Sequence, residues 1–280
     1  MSTQSVHAIR FHRAEPTAVA DILAVEAPLH LKVNGESWTT TMRTPGADLE
    51  LARGLAFTEG IVPEPHAPIA FHCVQDPETG LTACVDISVA PEFVARPVEG
   101  RRSMLSSSSC GVCGIVDPAD INLYGPPLIA TAEVHFDLAQ VPAMHEALSL
   151  GQALFQDSGG SHAAALYSQS GQILALHEDI GRHNAVDKAV GALLASGRLA
   201  EARALFVSGR VSYEIVYKAY RAGVPVLLAV SAPSSMAVET AQRMGICLIA
   251  FCRDDRATVY SHAENIATAA EIKESTSWTA

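Results

Sequence analysis

Hydrophobic and polar residues follow different patterns in the two halves of the chain. Over residues 21–41 they alternate, which is typical of half-buried strands, and the Asn34-Gly35 pair predicts a hairpin turn. A helical period follows over 48–59, and a further strand-like run covers 81–90. These patterns predict a small α+β unit, built on antiparallel strands, in the first part of the chain.

From His162 onward, an apolar strand, a short polar loop and a helix recur three times. Two strand-like runs joined at Ser170-Gly171 come first, and a helix over 141–156 precedes them. In the next helix we expect Asn184 to be the N-cap and Asp187 to favour the first turn. Continuous apolar strands that alternate with helices predict a parallel sheet covered by helices on both faces.

The expected fold class is therefore α/β, with a three-layer α/β/α main domain and a smaller N-terminal α+β part. The sequence divides into an N-terminal arm over 1–20, the smaller part over 21–127, the main domain over 128–262 and a C-terminal tail over 263–280. The loop 101–114 belongs to the smaller part, whereas we expect ligand binding in the main domain.

Composition and charge exclude some classes of protein. The net charge of −11 argues against a general nucleic-acid or membrane binder. No apolar run reaches the about 18 residues that a membrane span needs, and the N-terminus lacks the apolar region of a secretory signal. We therefore expect a cytoplasmic protein. With six cysteines in 280 residues the chain is not disulfide-rich, so a close cysteine pair indicates catalysis or metal binding.

The loop 101–114 carries such a pair, Cys110 and Cys113, in a run of serines and glycines without an apolar period. Four consecutive serines before Cys110 are typical of a mobile tether. We therefore expect the loop to present its thiols rather than bury them. The favoured chemistry is a nucleophilic thiolate that attacks sulfur and then carries it as a persulfide.

Half of a zinc site is the alternative for this pair, because structural zinc sites commonly use two such pairs. The remaining cysteines supply no convincing second pair, since Cys73 and Cys84 are 11 residues apart and Cys247 and Cys252 lie in an apolar run. A thioredoxin-like dithiol begins a helix within a βαβ unit, and this context is missing here. We assign no metal ligands.

The loops after the predicted parallel strands should meet at one edge of the sheet, where such sheets bind ligands. These loops are EDIGRHN, SGR, SAPSS and FCRDDR. They offer helix N-termini, hydroxyls and planar cations, which suit an anion. Candidate binding residues in the first two loops are Gly181, Arg182, His183, Asn184, Ser208, Gly209 and Arg210. For His162 and His183 a structural hydrogen-bonding role is the alternative, and we expect Glu178 and Asp179 to cap or orient loops.

Six segments of the sequence match the motifs of a known family in content and order. They are TMRTPGADLELARGLAFTEGI, SSCGVCG, GGSHAAAL, HEDIGRHNAVDKAVG, VSGRVSYEIVYKA and AVSAPSSMAVETA. Over roughly residues 28–262 the chain resembles the FdhD family of formate dehydrogenase accessory sulfurtransferases. The combination of HEDIGRHNAVDK with an upstream CGVCG is specific, unlike a lone CxxC. Two departures are a longer serine run before Cys110 and Ala250 in place of the usual glycine.

The resemblance implies a sulfur carrier that takes sulfur from a cysteine desulfurase as a cysteine persulfide. The sulfur would pass to the molybdenum or tungsten bis-molybdopterin guanine dinucleotide cofactor of formate dehydrogenase, which is cargo and not a permanent prosthetic group. The essential cysteine matches Cys110, with Cys113 as its partner.

The family's cofactor-binding segment matches Phe251, Cys252, Arg253, Asp254, Asp255 and Arg256. The resemblance also implies a cytidine-deaminase-like architecture and a homodimer. A zinc- or cofactor-binding chaperone that transfers no sulfur is the alternative function.

Overall fold

The computed structural model of the protein describes most of the chain, namely residues 2–95, 127–128, 136–253 and 256–267. The predictions for Cys110, Cys113, Asp254 and Asp255 lie outside the described residues. Within them, no helix is both long enough and apolar enough to cross a membrane.

The strands and helices of the described residues follow each other in a regular order. The strands are β1 (Thr3–His12), β2 (Glu15–Ala24), β3 (Ala27–Val33), β4 (Glu36–Arg43), β5 (Ile69–Gln75), β6 (Thr82–Val89), β7 (Phe136–Asp137), β8 (His162–Tyr167), β9 (Ile173–Asp179), β10 (Ala204–Val207), β11 (Val226–Ala229), β12 (Cys247–Arg253), β13 (Arg256–Val259) and β14 (Ile266–Ala267). The helices are α1 (Asp48–Thr58), α2 (Val141–Leu150), α3 (Ala153–Ser158), α4 (Arg182–Ala195), α5 (Tyr213–Arg221) and α6 (Ser235–Met244).

The first part of the chain folds around a four-stranded sheet with the order β4-β3-β6-β5, against which α1 packs. The predicted hairpin is confirmed, because Asn34 and Gly35 have the positive φ values, 51° and 82°, that a tight turn between twisted strands requires. The predicted helix and strand are confirmed as α1 and β6. The sheet is not wholly antiparallel, however, since β3 and β6 run parallel.

The N-terminal residues form a separate two-stranded sheet in which β1 and β2 pair antiparallel. The expected arm over 1–20 is thus a hairpin, and its boundary falls inside β2. The turn lies at Arg13 and Ala14, whose φ values are 47° and 70°. Neither residue type signals a hairpin turn in a sequence, which is why the pattern did not predict it.

The second half of the chain is built on a six-stranded sheet with the order β13-β12-β11-β10-β8-β9. The strands β10, β11 and β12 run parallel, as predicted. The expectation of an all-parallel sheet is wrong, because β8 is antiparallel to both neighbours and β13 is antiparallel to β12. The short turn after β8 allows only an antiparallel neighbour, since parallel strands need a long crossover. The fold is mixed α/β.

The six-stranded sheet is buried on both faces. Leu205 and Val207 of β10 pack into a cluster with α4, α5 and α6, whereas Ala204 and Phe206 pack into a second cluster with α2. Because successive residues of a strand point to opposite faces, this burial explains the continuous apolar runs of β10, β11 and β12.

Two helix predictions need correction. The helix expected over 141–156 is divided into α2 and α3 at Gly151 and Gln152. The helix α4 begins at Arg182, so Asn184 lies within it and is not the N-cap. Asp187 is likewise buried in the helix and not exposed to the dipole of its first turn.

The two sheets are joined by a close crossing of α1 and α4. A Cβ atom on Gly54 would collide with the backbone of Asp187, and one on Gly191 would collide with the backbone of Glu50. Glycine at both positions lets the helix backbones touch. Beside the crossing, Lys218 of α5 binds both carboxylate oxygens of Asp187 at 2.9 Å. The small sheet is therefore held firmly against the helix whose first residues belong to the candidate site.

Candidate functional site at the strand ends

The loops after β9, β10, β11 and β12 lie side by side at one edge of the large sheet, as the sequence predicts. The backbone N–H of Val211 donates to Ala232 at 3.1 Å, and that of Ser234 donates to Val211 at 2.9 Å. The N–H of Phe251 donates to Ser231 at 3.3 Å. Because β8 is antiparallel to β10, the first residue of β8, His162, lies at the same edge.

Gly209 lies at the centre of this edge. A Cβ atom there would lie 3.3 Å from Nδ1 of His162 and 3.6 Å from two carbons of Arg182. Three chain segments, the start of β8, the loop after β10 and the start of α4, therefore converge on a residue without a side chain. The neighbouring hydroxyl of Ser208 accepts a hydrogen bond from the N–H of Ala163 at 2.9 Å, which fixes this loop to β8.

The convergence brings positive charge together. Burial lowers the pKa of His162 below its ordinary value, and the charges of Arg182, Arg210 and His183 lower it further. Asp179 acts in the opposite direction but is outweighed. A half-buried imidazole that is kept neutral by surrounding cations marks a site with a net positive field, which favours an anion.

His183 is held by a carboxylate that the sequence did not reveal. Its Nε2 lies 3.0 Å from Oε2 of Glu214 and 3.3 Å from the hydroxyl of Ser212. Burial alone would raise the pKa of Glu214, but the hydrogen bond and charge of His183, helped by Ser212 and Lys218, lower it overall. Glu214 thus remains ionised and orients the imidazole. Only the fold could show this pair, because it joins α4 to α5.

The loop before α4 is fixed by the buried carboxylate of Asp179. Its Oδ1 accepts hydrogen bonds from the N–H of Gly181 at 2.8 Å and the amide of Asn184 at 3.1 Å. Its Oδ2 accepts the N–H of Thr44 at 3.1 Å and lies 2.7 Å from Nζ of Lys188. Four donors saturate the carboxylate, so Asp179 positions the loop, as expected.

Asn184 and Glu178 complete the support of this edge. The amide of Asn184 also donates to the carbonyl of Met42 at 2.8 Å, so it ties the loop to the small sheet. The carboxylate of Glu178 accepts the N–H groups of Leu154 and Phe155 at 2.8 and 2.9 Å, and it therefore caps α3. These contacts confirm the expected loop-capping role of Glu178.

The segment from Phe251 onward borders the same edge. Phe251 has a left-handed backbone with φ 55°, and the guanidinium of Arg256 lies 5.8 Å from the centre of its ring. Arg253 pairs with Arg256 across β12 and β13, and both side chains are exposed. Cys252, by contrast, is fully buried, and burial raises its pKa to about 11. Its thiol therefore faces the core and stays protonated near neutral pH.

A family model described as the FdhD/NarQ family matches residues 24–267. The chain belongs to the FdhD/NarQ family. The resemblance inferred from the motifs is thereby confirmed, over nearly the same part of the chain.

Several proteins named sulfur carrier protein FdhD are similar to this member of the FdhD/NarQ family. The one from Anaeromyxobacter dehalogenans (strain 2CP-C) is 44% identical over 89% of this chain and 90% of its own length. The one from Mycobacterium tuberculosis is 40% identical over 88% and 92%. The one from Streptomyces coelicolor is 36% identical over 96% and 98%.

A solved structure supports the fold. A candidate formate dehydrogenase accessory protein from Desulfotalea psychrophila superposes with a TM-score of 0.75. The superposition covers 95% of this chain and 100% of that chain, at 20% sequence identity.

In this FdhD/NarQ protein the structure brings together part of the residue set expected from the sequence. Arg182, His183, Gly209 and Arg210 converge, and the segment from Phe251 lies beside them. His162 joins them because β8 is antiparallel, which the sequence pattern did not indicate. Among the described residues, no group of three or more His, Cys, Asp and Glu side chains could hold a metal ion. The site is suited to bind an anion through guanidinium groups, imidazoles and backbone N–H groups.

Proposed function

We propose that this protein accepts sulfur from a cysteine desulfurase as a persulfide on Cys110. It then passes the sulfur to the bis-molybdopterin guanine dinucleotide cofactor of formate dehydrogenase, with molybdenum or tungsten as the metal. Its membership of the FdhD/NarQ family and its similarity to proteins named sulfur carriers support sulfur carriage. The observation that carries the proposed cargo is the cluster of cations at the strand ends, because the cofactor contains two pyrophosphate groups.

In the proposed loading step, the thiolate of Cys110 attacks the terminal sulfur of the desulfurase persulfide. The sulfur–sulfur bond in the donor breaks as the new one forms, and the desulfurase cysteine leaves as a thiolate. The step needs no external oxidant, since one persulfide replaces another. We assign Cys113 the role of partner thiol in the same loop.

The strand-end site would hold the cargo by its phosphates. Arg182 and Arg210 can each form charge-assisted hydrogen bonds to phosphate oxygens, and the start of α4 adds the positive end of a helix dipole. The segment over 251–256, with Arg253 and Arg256, would contact the same ligand from the adjacent strand end. A cytidine-deaminase-like layering, a homodimer and a cytoplasmic location remain parts of this proposal.

Mass spectrometry of the Cys110 peptide tests the loading step. After incubation with a cysteine desulfurase and cysteine, the peptide should gain the mass of one sulfur atom, and a reducing agent should remove it. A Cys252→Ala variant is the control, because this buried thiol should not take part. If the wild-type peptide gains no sulfur while the desulfurase itself is loaded, Cys110 is not the acceptor.

A further inference from the structure

His162 occupies an unusual position within the candidate site. Its imidazole is half-buried at the start of β8, with Nδ1 directly above the Cα of Gly209. Among the described residues, this imidazole has no hydrogen-bond partner, whereas the other histidine of the site, His183, is bound by Glu214 and Ser212. A half-buried ring with an unused donor and acceptor is available to a ligand.

The groups around His162 come from three elements. Arg182 and His183 face it from the start of α4, Arg210 faces it from the loop after β10, and Asp179 faces it from the end of β9. The carboxylate of Asp179 is already saturated by hydrogen bonds and by Lys188. The field at the imidazole is therefore positive, and protonation of the empty site is unfavourable.

An anionic ligand would reverse this field. Phosphate oxygens placed between the two guanidinium groups would cancel the positive charge that keeps the imidazole neutral. The protonated ring could then donate a charge-assisted hydrogen bond to the phosphate, in place of the solvent contact that it has now.

We propose that His162 binds a phosphate oxygen of the pyrophosphate-bearing ligand and takes up a proton as that ligand binds. This inference rests on the phosphate-binding role given to the strand ends under the proposed function. It adds a binding residue that the motif segments do not mark and a dependence of cargo retention on pH. Affinity should be greatest below the lowered pKa of the free imidazole and should fall as pH rises. The limiting slope is about tenfold per pH unit for one linked proton.

Calorimetry with guanosine diphosphate as the probe tests the inference. Binding is measured near pH 7 in two buffers of different ionisation enthalpy, which gives the number of protons taken up. We expect the wild type to take up a measurable fraction of one proton, and His162→Gln, which keeps a polar side chain but cannot titrate, to take up none. His162→Gln should bind more weakly than the wild type at low pH and equally at high pH.

Two variants control this experiment. His12→Gln, in the exposed end of β1, should take up protons as the wild type does, and thermal melting should show that His162→Gln is folded. Unchanged proton uptake in His162→Gln, or its loss in His183→Gln instead, would show that the inference is wrong while nucleotide binding stands. Failure of the wild type to bind either guanosine diphosphate or pyrophosphate would overturn both the inference and the phosphate-binding role. The Cys110 peptide mass would still report on sulfur acceptance separately.

Discussion

Charged residues serve opposite purposes in two neighbouring regions of this molecule. At the joint between the sheets, the buried Lys218 is matched by Asp187, which also accepts a hydrogen bond from Thr58 at 2.7 Å. Burial alone would lower the pKa of Lys218, but the charge of Asp187 raises it overall, so the ammonium stays charged. At the strand ends, cations converge instead and hold the imidazole of His162 neutral. A matched charge network supports the fold, whereas an accumulation of one sign prepares a site for a ligand.

The largest effect is expected at the joint. Asp187→Ala would leave the ammonium of Lys218 buried without its main counter-charge, so the free energy of unfolding should fall by about 3–5 kcal/mol. Denaturant unfolding measures the loss. Glu201→Ala removes an exposed ion pair with Arg198 and should cause no measurable change. Equal stability of both variants would contradict the structural role of the buried pair.

At the strand ends, Arg210→Ala should change binding and not stability. The side chain is exposed, and the loss of one charge-assisted contact to phosphate should weaken guanosine diphosphate binding by about 1.5–3 kcal/mol. Calorimetry measures the affinity, and Arg198→Ala, another exposed arginine, is the matched control. If Arg210→Ala binds the nucleotide as tightly as the wild type, the convergence of cations is not the ligand site.

A smaller effect is expected for Gly209→Ala. The added methyl group would lie 3.3 Å from His162, so the imidazole must move by a few tenths of an ångström. Nucleotide affinity should fall by about 1 kcal/mol, or about fivefold, with little change in the melting temperature. Gly160→Ala is the control, since its Cβ would meet its nearest neighbours at an ordinary 3.6 Å. A Gly209→Ala variant that binds normally would show that this close approach is unimportant.

The smallest effect concerns the titration of His162 itself. An NMR titration should give a pKa below the ordinary 6.5 in the wild type and a higher value in Arg210→Ala, because one cation is removed. Since the folded state then binds fewer protons than the unfolded state, this group should lower stability as pH falls through 6.5. An unchanged pKa in Arg210→Ala would contradict the electrostatic account.

Local sequence patterns predict much of this fold but not its long-range contacts. Helix α1, strand β6, the turn at Asn34-Gly35 and the meeting of the loops at one sheet edge all follow from spacing and turn chemistry. The direction of β8 does not, because a pattern of apolar residues looks the same in parallel and antiparallel strands. That direction places His162 in the site.

The same limit applies to polar residues in helices. Asp187 and Asn184 look like first-turn and capping residues in the sequence, yet both are buried, because α1 and β4 cover this side of α4. Glu214 looks like a first-turn residue of α5, and only the packing of the helices shows that it holds His183. Such pairings depend on tertiary contacts between distant parts of the chain.

The central claim is that Cys110 carries sulfur to a ligand held by the cations at the strand ends. Its most direct test is transfer of radioactive sulfur from desulfurase-loaded protein to bis-molybdopterin guanine dinucleotide. We predict labelled cofactor with the wild type, a loaded protein that transfers poorly with Arg210→Ala, and neither loading nor transfer with Cys110→Ala. Transfer by Cys110→Ala at the wild-type level, or undiminished transfer by Arg210→Ala, would contradict the account.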